Sequence, residues 1–155
     1  VLRTTMIVGH PGEGKRAFAE LLDFVREARF ERLGAFKYSE EEGTYGAENF
    51  NDRTSAKVKQ ERLDELMTLQ SEISMAFNQS RVGSEIDVIV DDYSDGVFVC
   101  RSEFESPEVD GEILVRYEGA SLDDVDPYSL IGEFMMVKVT GADEYDLIAE
   151  PLEIL

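Results

Sequence analysis

The first third of the chain carries apolar residues at two different spacings. Residues 3–9 form a short, β-branched apolar run that ends at a glycine, which predicts a buried strand. Residues 15–29 place their apolar side chains on one helical face: Phe18, Leu21, Leu22 and Val25. Residues 30–38 alternate as a second strand. A strand, a helix and a strand in this order predict a parallel βαβ unit with a right-handed crossover.

The next segment loses its period and then regains a helical one. Residues 39–53 are acidic and contain glycines, which predicts a loop. Residues 54–79 predict a long helix, with Thr54 or Ser55 as its cap. A single βαβ unit cannot bury both faces of its sheet, so we expect residues 1–53 to belong to a larger sheet or barrel whose N-terminal part is missing here.

After Gly83 the apolar residues follow the period of a strand. Residues 85–92 alternate between two faces, with Ile86, Val88 and Val90 on one. The other face carries Glu85, Asp87, Ile89 and Asp91. Residues 94–96 predict a tight turn of the Asp-Gly type. The remaining strands are expected at 97–101, 111–117, 132–140 and 145–150. Five short strands in about seventy residues predict an OB-like barrel, which we expect to be antiparallel, so the fold class is α+β.

Charge separates the two parts of the chain. The net charge is −19, and residues 83–155 alone contain 3 basic and 20 acidic residues, a net charge of −17. Such a field attracts basic proteins and repels nucleic acid phosphates, although high acidity also serves simple solubility. We therefore expect a basic protein as the partner and no nucleic acid.

The scarcity of cysteine and histidine limits the chemistry. Cys100 is the single cysteine and His10 the single histidine, which excludes an internal disulfide and a zinc site made by this chain alone. Cys100 is expected to be a small core residue, and His10 to be a solvated turn residue or a substrate contact. No apolar run is long enough to span a membrane and no signal peptide is present, which predicts a cytoplasmic protein.

Residues 9–16 resemble the start of a phosphate-binding loop. They fit G-x-x-x-x-G-K between a strand and a helix, with Lys15 as the lysine and Asp91 as a candidate partner on the magnesium side. Arg16 stands where the loop needs serine or threonine, and Pro11 removes a backbone donor. A Gly-rich turn between strand and helix is the favoured interpretation, and a nucleoside triphosphatase stays a third alternative.

Several motifs together resemble the radical-SAM methylthiotransferase family. Residues 6–13 are similar to the family's V-G-F-P-G-E run, and residues 38–44 are similar to its Y-S-x-x-x-G-T segment. The long helix repeats the family's pattern of spaced residues: Lys59, Glu61, Arg62, Leu66, Gln70, Ile73 and Asn78. Residues 82–83 open what resembles the TRAM domain, a small substrate-binding barrel, and the resemblance covers essentially the whole chain.

The branch of the family that modifies a ribosomal protein, the RimO type, is the closer resemblance. Residues 101–104 and 107–111 are similar to its G-R-x-x-x-x-A-P-E-V-D-G run, with Cys100 and Ser106 in place of the first glycine and the alanine. Residues 143–147 resemble its D-x-Y-D-L tail. A tRNA-binding barrel should be basic, and this one is acidic, so the tRNA branch is the alternative.

The resemblance implies an activity that the chain alone would not have. Enzymes of this branch attach a methylthio group to the β-carbon of an aspartate in the twelfth small-subunit ribosomal protein, using S-adenosylmethionine and two [4Fe-4S] clusters. The cluster ligands would lie outside this chain, so we expect the chain by itself to be inactive. A free-standing acidic binding module is the alternative from another class.

The resemblance also implies a division of the chain and candidate site residues. Residues 1–53 would be the last strands of a partial TIM-like radical-SAM barrel, 54–81 a linker helix, and 82–152 the TRAM barrel. Residues near the adenosyl group at the strand ends would be Ile7, Gly9, Phe36 and Tyr38. Carboxylates in the turns of the acidic barrel are the candidate substrate contacts: Glu103, Glu105, Glu108, Asp110, Asp123, Asp124 and Asp126.

Overall fold

A computed structural model describes residues 1–116 and 126–154. The chain divides into two compact units, Val1–Ile73 and Ser74–Leu155. The helices are α1 (Lys15–Ala28), α2 (Tyr45–Asn49) and α3 (Ala56–Arg81), with one 3₁₀ turn at Pro127–Leu130. The strands are β1 (Arg3–Val8), β2 (Arg32–Lys37), β3 (Glu85–Ser94), β4 (Val97–Arg101), β5 (Ile113–Arg116), β6 (Phe134–Ala142) and β7 (Leu147–Ile154).

The first unit contains the predicted parallel βαβ arrangement. Strands β1 and β2 pair in parallel from Arg3 opposite Arg32 to Val8 opposite Lys37, with α1 as the crossover. One sheet face and the apolar faces of α1 and α3 form a core: Val8, Phe18, Leu22, Val25, Leu33, Leu66 and Ile73. The other sheet face exposes Ile7 and Phe36, so apolar surface remains uncovered there.

The segment predicted to be loop, residues 39–53, contains the short helix α2, so that prediction was wrong for Tyr45–Asn49. Thr44 caps this helix, because its Oγ1 accepts a hydrogen bond of 3.3 Å from the backbone N–H of Ala47. None of the helix residues is buried. A helix held by its cap rather than by an apolar face leaves no hydrophobic period in the sequence.

Helix α3 begins and ends two residues later than predicted. Ser55 provides the cap, since its Oγ accepts a hydrogen bond of 3.3 Å from the backbone N–H of Val58.

Within the part of the chain that the structure describes, no helix is long and apolar enough to cross a membrane.

The second unit contains a closed five-stranded barrel in the order β3-β4-β5-β7-β6. All five predicted strands occur, with ends shifted by a few residues. The predicted alternation of β3 is confirmed, since Val88 and Val90 are buried in the barrel while Asp87 and Asp91 are exposed. Cys100 lies in this core as expected, with 1% of its surface exposed.

The predicted α+β class and the five-stranded barrel are confirmed, but the barrel is mixed rather than antiparallel, so that part of the prediction was wrong. Strands β5 and β7 pair in parallel, with Ile113 opposite Leu147, while the other four pairings are antiparallel. The reason is topological: strands that alternate in direction around a closed ring must be even in number. A closed barrel of five strands therefore contains at least one parallel pair.

Candidate functional site

Two cations on one face of α3 hold the loops of the first unit. Lys59 donates a hydrogen bond of 2.9 Å from Nζ to the backbone oxygen of Tyr38 and forms an ion pair of 2.5 Å with Asp52. The hydrogen bond from Lys59 lowers the pKa of the Asp52 carboxyl. Lys59 is only 8% exposed, so its charge needs both partners. The lysine therefore fixes the segments that follow β2.

The second cation closes the loop that resembles a phosphate-binding loop. Arg62 Nη1 lies 2.6 Å from Glu13 Oε1, and the same carboxylate oxygen accepts a hydrogen bond of 3.0 Å from the backbone N–H of Gly9. The loop thus binds its own carboxylate with a donor that a phosphate would need. This arrangement counts against a nucleotide at Lys15, because a fixed negative charge already lies in the loop.

Gly9 is required by the packing of the first unit. Its φ is +77°, and a Cβ at this position would lie 2.5 Å from Cγ of Lys59. A larger residue would therefore strain the backbone and displace the lysine. The space beside Gly9 is filled by Lys59, so the glycine does not provide an open cradle for a ligand.

The other three candidate cofactor residues are distributed over both sides of the sheet end. Ile7 and Phe36 lie opposite each other in the register and are 57% and 64% exposed, so the structure brings these two together. Tyr38 is half-buried, with the Lys59 ammonium 5.1 Å from its ring centroid. The exposed His10 lies edge-on to the Tyr38 ring at 5.0 Å. These contacts give the ends of the strands a partly aromatic rim.

The described residues do not fit an iron–sulfur cluster. Among residues 1–116 and 126–154, no group of three or more histidines, cysteines, aspartates or glutamates is arranged to hold a metal. Burial raises the pKa of the Cys100 thiol to about 12, and thiolates are the ligands such clusters need. Ile7 and Phe36, by contrast, expose apolar surface that could contact the adenine of S-adenosylmethionine.

The second unit contains a groove of about 550 Å³ on the outside of the barrel. It lies over β3 and is bounded by the segment after β4 and the first residue of β6. Residues of both chemical kinds line it: Arg81, Glu85, Ile86, Asp87, Ile89, Arg101, Ser102, Glu103, Phe104 and Phe134. Ile89 lies opposite Phe134 on β6 and opposite Arg101 on β4, so these side chains form a row across three strands.

A buried ion pair forms one end of the groove. Arg81 lies 2.5 Å from Glu105, and both residues are 7% exposed. The backbone N–H and the hydroxyl of Ser102 also donate to Glu105. Burial raises the pKa of Glu105, but the hydrogen bonds from Ser102 and Arg81 and the charge of Arg81 outweigh it, so the net pKa lies below the usual value.

The same guanidinium lies against two aromatic rings. Arg81 Cζ is 5.6 Å from the centroid of Phe77 and 5.3 Å from that of Phe104. An arginine held by a carboxylate and by aromatic faces combines charge pairing with cation–π attraction. Glu105, Phe77 and Phe104 thus already bind one arginine of the protein itself, Arg81, which lines the groove.

The structure brings only one predicted substrate carboxylate into the groove. Glu103 is exposed and lines it, whereas Glu105 is buried against Arg81 and has no surface to offer. Glu108 is exposed, and Asp110 accepts a hydrogen bond of 2.7 Å from the backbone N–H of Ser106. Asp126 caps the 3₁₀ turn. Asp123 and Asp124 lie outside the described residues.

The choice of acidic turns as the candidate site included Glu103 but none of the other described residues that line the groove. Glu85, Asp87 and Ile89 all lie on the outer face of β3 that the alternation had predicted. That pattern could have indicated them, because it places the apolar Ile89 between Asp87 and Asp91 on the strand face opposite to the core. Phe134 carried no such signal, since its place depends on the pairing of β6 with β3.

Comparison with known proteins gives a family model that matches the barrel region and relatives that match nearly the whole chain. Residues 82–152 match the TRAM domain family. The ribosomal protein uS12 methylthiotransferase RimO of Phocaeicola vulgatus is 48% identical over 97% of this chain and 33% of its own length. The RimO proteins of Bacteroides fragilis and Porphyromonas gingivalis are 50% and 51% identical over 96% of the chain and 33% of theirs. The chain is similar over nearly its whole length to RimO-type methylthiotransferases.

The resemblance found in the motifs is thereby confirmed. The chain spans about a third of the length of these RimO-type relatives. Among solved structures, a protein from the Wisconsin strain of vaccinia virus covers 48% of the chain with a TM-score of 0.36 and 19% identity, and nothing about function rests on that weak likeness.

Proposed function

We propose that this chain is part of a cytoplasmic enzyme that attaches a methylthio group to the β-carbon of an aspartate in ribosomal protein uS12. The observation that carries the proposal is the identity of about half of all positions, over nearly the whole chain, with relatives named ribosomal protein uS12 methylthiotransferase. S-adenosylmethionine and two [4Fe-4S] clusters would supply the radical chemistry and the sulfur. The chain alone would be inactive, since it spans only about a third of the length of those relatives.

Residues 1–53, which lie in the first unit, are proposed to be the last part of a partial radical-SAM barrel. Support comes from its parallel strands, which leave Ile7 and Phe36 exposed side by side on one sheet face. In barrels of parallel strands, reactive centres lie at the carboxyl ends of the strands. Ile7 and Phe36 would contact the cofactor there, while Gly9 and Tyr38 would act through the Lys59 contacts that shape the rim.

The acidic barrel is proposed to hold the substrate protein. Its charge of −17 favours a partner rich in lysine and arginine, and it opposes a tRNA, whose phosphates would be repelled. Exposed charges are screened over about 10 Å at 0.1 M salt, so binding to uS12 should weaken as salt rises. Among the described residues, the candidate contacts are the carboxylates of Glu103, Glu108, Asp110 and Asp126. Asp123 and Asp124 are further candidates from the sequence.

Mass spectrometry of uS12 tests the activity. Ribosomes from cells that lack the gene encoding this chain should contain uS12 without the methylthio group, and restoring the gene should restore the modification. Restoring a gene whose product lacks residues 82–152 should not. If uS12 kept its methylthio group in cells that lack the gene, while tRNA lost one, the result would contradict the proposal and favour the tRNA branch of the family.

A further inference from the structure

We infer that the groove over β3 is the binding site for an arginine side chain from a basic segment of the substrate protein. The inference rests on the proposed function for the identity of that protein. The inference adds a site that the acidic turns alone do not indicate. The residues proposed to bind the arginine are Asp87, Glu103, Ile89 and Phe134.

The floor of the groove is apolar. Among the lining residues, Ile89 is half-buried, and Phe134, opposite it in the register of β3 and β6, is 54% exposed. Phe104 lines the groove as well. Exposed aromatic surface inside a concave site differs from a scattered surface residue, because a ligand can bury it from several sides. A purely solvated acidic face would not need such a floor.

The charges of the groove are unbalanced. Its two arginines are already paired, Arg81 with Glu105 at 2.5 Å and Arg101 with Asp91 at 2.9 Å. Within the described part of the chain, Asp87 and Glu103 form neither an ion pair nor a side-chain hydrogen bond. Two free carboxylates beside apolar surface favour a ligand that carries both positive charge and apolar stem.

The wider surroundings do not cancel this charge. Glu85 also lines the groove, and Lys138 lies opposite Glu85 in the register of β3 and β6. Lys138 also lies opposite Glu150 on the pairing of β6 with β7. One lysine between two glutamates leaves the row negative, so the attraction for a cation remains.

Arginine fits these groups better than lysine. A guanidinium is planar, stacks on aromatic faces and binds carboxylates through several N–H groups at once. The unit shows the same combination in Arg81, which lies over Phe104 and pairs with Glu105. Phe134, Asp87 and Glu103 supply the same kinds of group among the residues that line the groove.

The location only partly overlaps the surface that OB-type barrels use for nucleic acids. That surface lies on the second and third strands of the barrel, which here are β4 and β5. The groove lies mainly over the first strand, β3, and includes Arg101 at the end of β4. A peptide is the proposed occupant because the lining charges without a partner, Asp87 and Glu103, are carboxylates, which repel phosphates. Binding of a nucleic acid is an outcome of the test.

Binding of a fluorescein-labelled hexa-arginine peptide to the full chain, followed by anisotropy at low salt, tests the inference. Asp87→Asn combined with Glu103→Gln should weaken binding about tenfold, and Phe134→Ala at least about threefold. Asp95→Asn is the matched control. It removes one charge from the same barrel at the turn between β3 and β4, where asparagine tolerates the φ of 52°. It should change binding by less than about twofold.

Four outcomes would overturn the site. The first is groove variants that bind within about twofold of the unaltered chain. The second is an Asp95→Asn chain that loses as much affinity, which would indicate a diffuse field. The third is equal affinity for a hexa-lysine peptide. The fourth is binding of bulk tRNA that Phe134→Ala abolishes. Unchanged melting temperatures would show that the variants fold.

The same variants separate this inference from the proposed function. Purified uS12 that binds the chain, but equally well after all groove substitutions, would overturn the groove and leave the proposed function standing. Hexa-arginine that binds through the groove while uS12 does not bind would support the groove and overturn the proposed partner.

Discussion

Replacing Arg81 by methionine tests whether the ion pair beside the groove is as buried as the structure shows. The substitution removes the guanidinium but keeps an apolar stem near Phe77 and Phe104. Glu105, only 7% exposed, would then lack its cation. The two donors from Ser102 would remain, because they bind the other carboxylate oxygen.

The magnitude follows from what remains around Glu105. Removing one partner of a buried ion pair costs about 3–5 kcal/mol. The donors that Ser102 retains place Arg81→Met near the lower end, about 3 kcal/mol. Replacing both charges, as Arg81→Met with Glu105→Leu, should recover stability to within about 1–2 kcal/mol of the unaltered chain, because no buried charge is left unpaired.

Urea unfolding followed by circular dichroism near neutral pH measures these free energies. Arg101→Met is the control, because the Arg101 and Asp91 side chains are 33% and 38% exposed. Breaking that pair should cost less than about 1 kcal/mol. The reasoning fails if Arg81→Met costs no more than Arg101→Met, or if the double replacement is less stable than the single one.

Three further predictions follow from single residues. The folded pKa of Glu105 lies below its usual 4.5, so its contribution is complete above that pH and is lost as pH falls through the folded pKa. Melting temperatures should therefore fall less on acidification in Glu105→Gln than in the unaltered chain. Gly9→Ala should cost about 1–3 kcal/mol, because it strains φ and displaces Lys59, whereas the exposed Gly34→Ala should be near neutral in the same urea melts. Iodoacetamide should label Cys100 only after unfolding, since burial raises its pKa to about 12; rapid labelling of the folded chain would contradict this.

The strands and helices were largely predictable because they bury one regular face. The alternation in β3 and the apolar stripe of α1 report that burial directly, and both were confirmed. The parallel pairing of β5 with β7 is non-local and leaves no pattern in either strand. Only the odd number of strands, joined to the idea of closure, could have indicated it.

The polar residues of α3 show what periodicity does not reveal. Gln70 Nε2 donates to the backbone oxygen of Phe30 at 3.0 Å, and Asn78 Nδ2 donates to that of Asp143 at 3.0 Å. The family resemblance had named both residues without a role. Their role is to satisfy carbonyl groups of distant loops, which requires knowing where those loops lie.

The candidate sites, like the fold, were predictable only where the sequence carries a local signal. Acidic turn residues could be selected from charge, but charge could not show that Glu105 is buried. Likewise, the motif that contains Gly9 could not show that Lys59 occupies the space beside it. The groove depends on the register that sets Ile89 opposite Phe134. Pairing registers join residues far apart in the chain, so the composition of either strand does not contain them.

The most direct test of the account is equilibrium binding of the chain to purified uS12 and, in parallel, to bulk tRNA, at low and at moderate salt. The account predicts tight binding to uS12 that weakens as salt rises, and no binding to tRNA, because the barrel region has a net charge of −17. Binding to tRNA, or binding to uS12 that does not respond to salt, would contradict it.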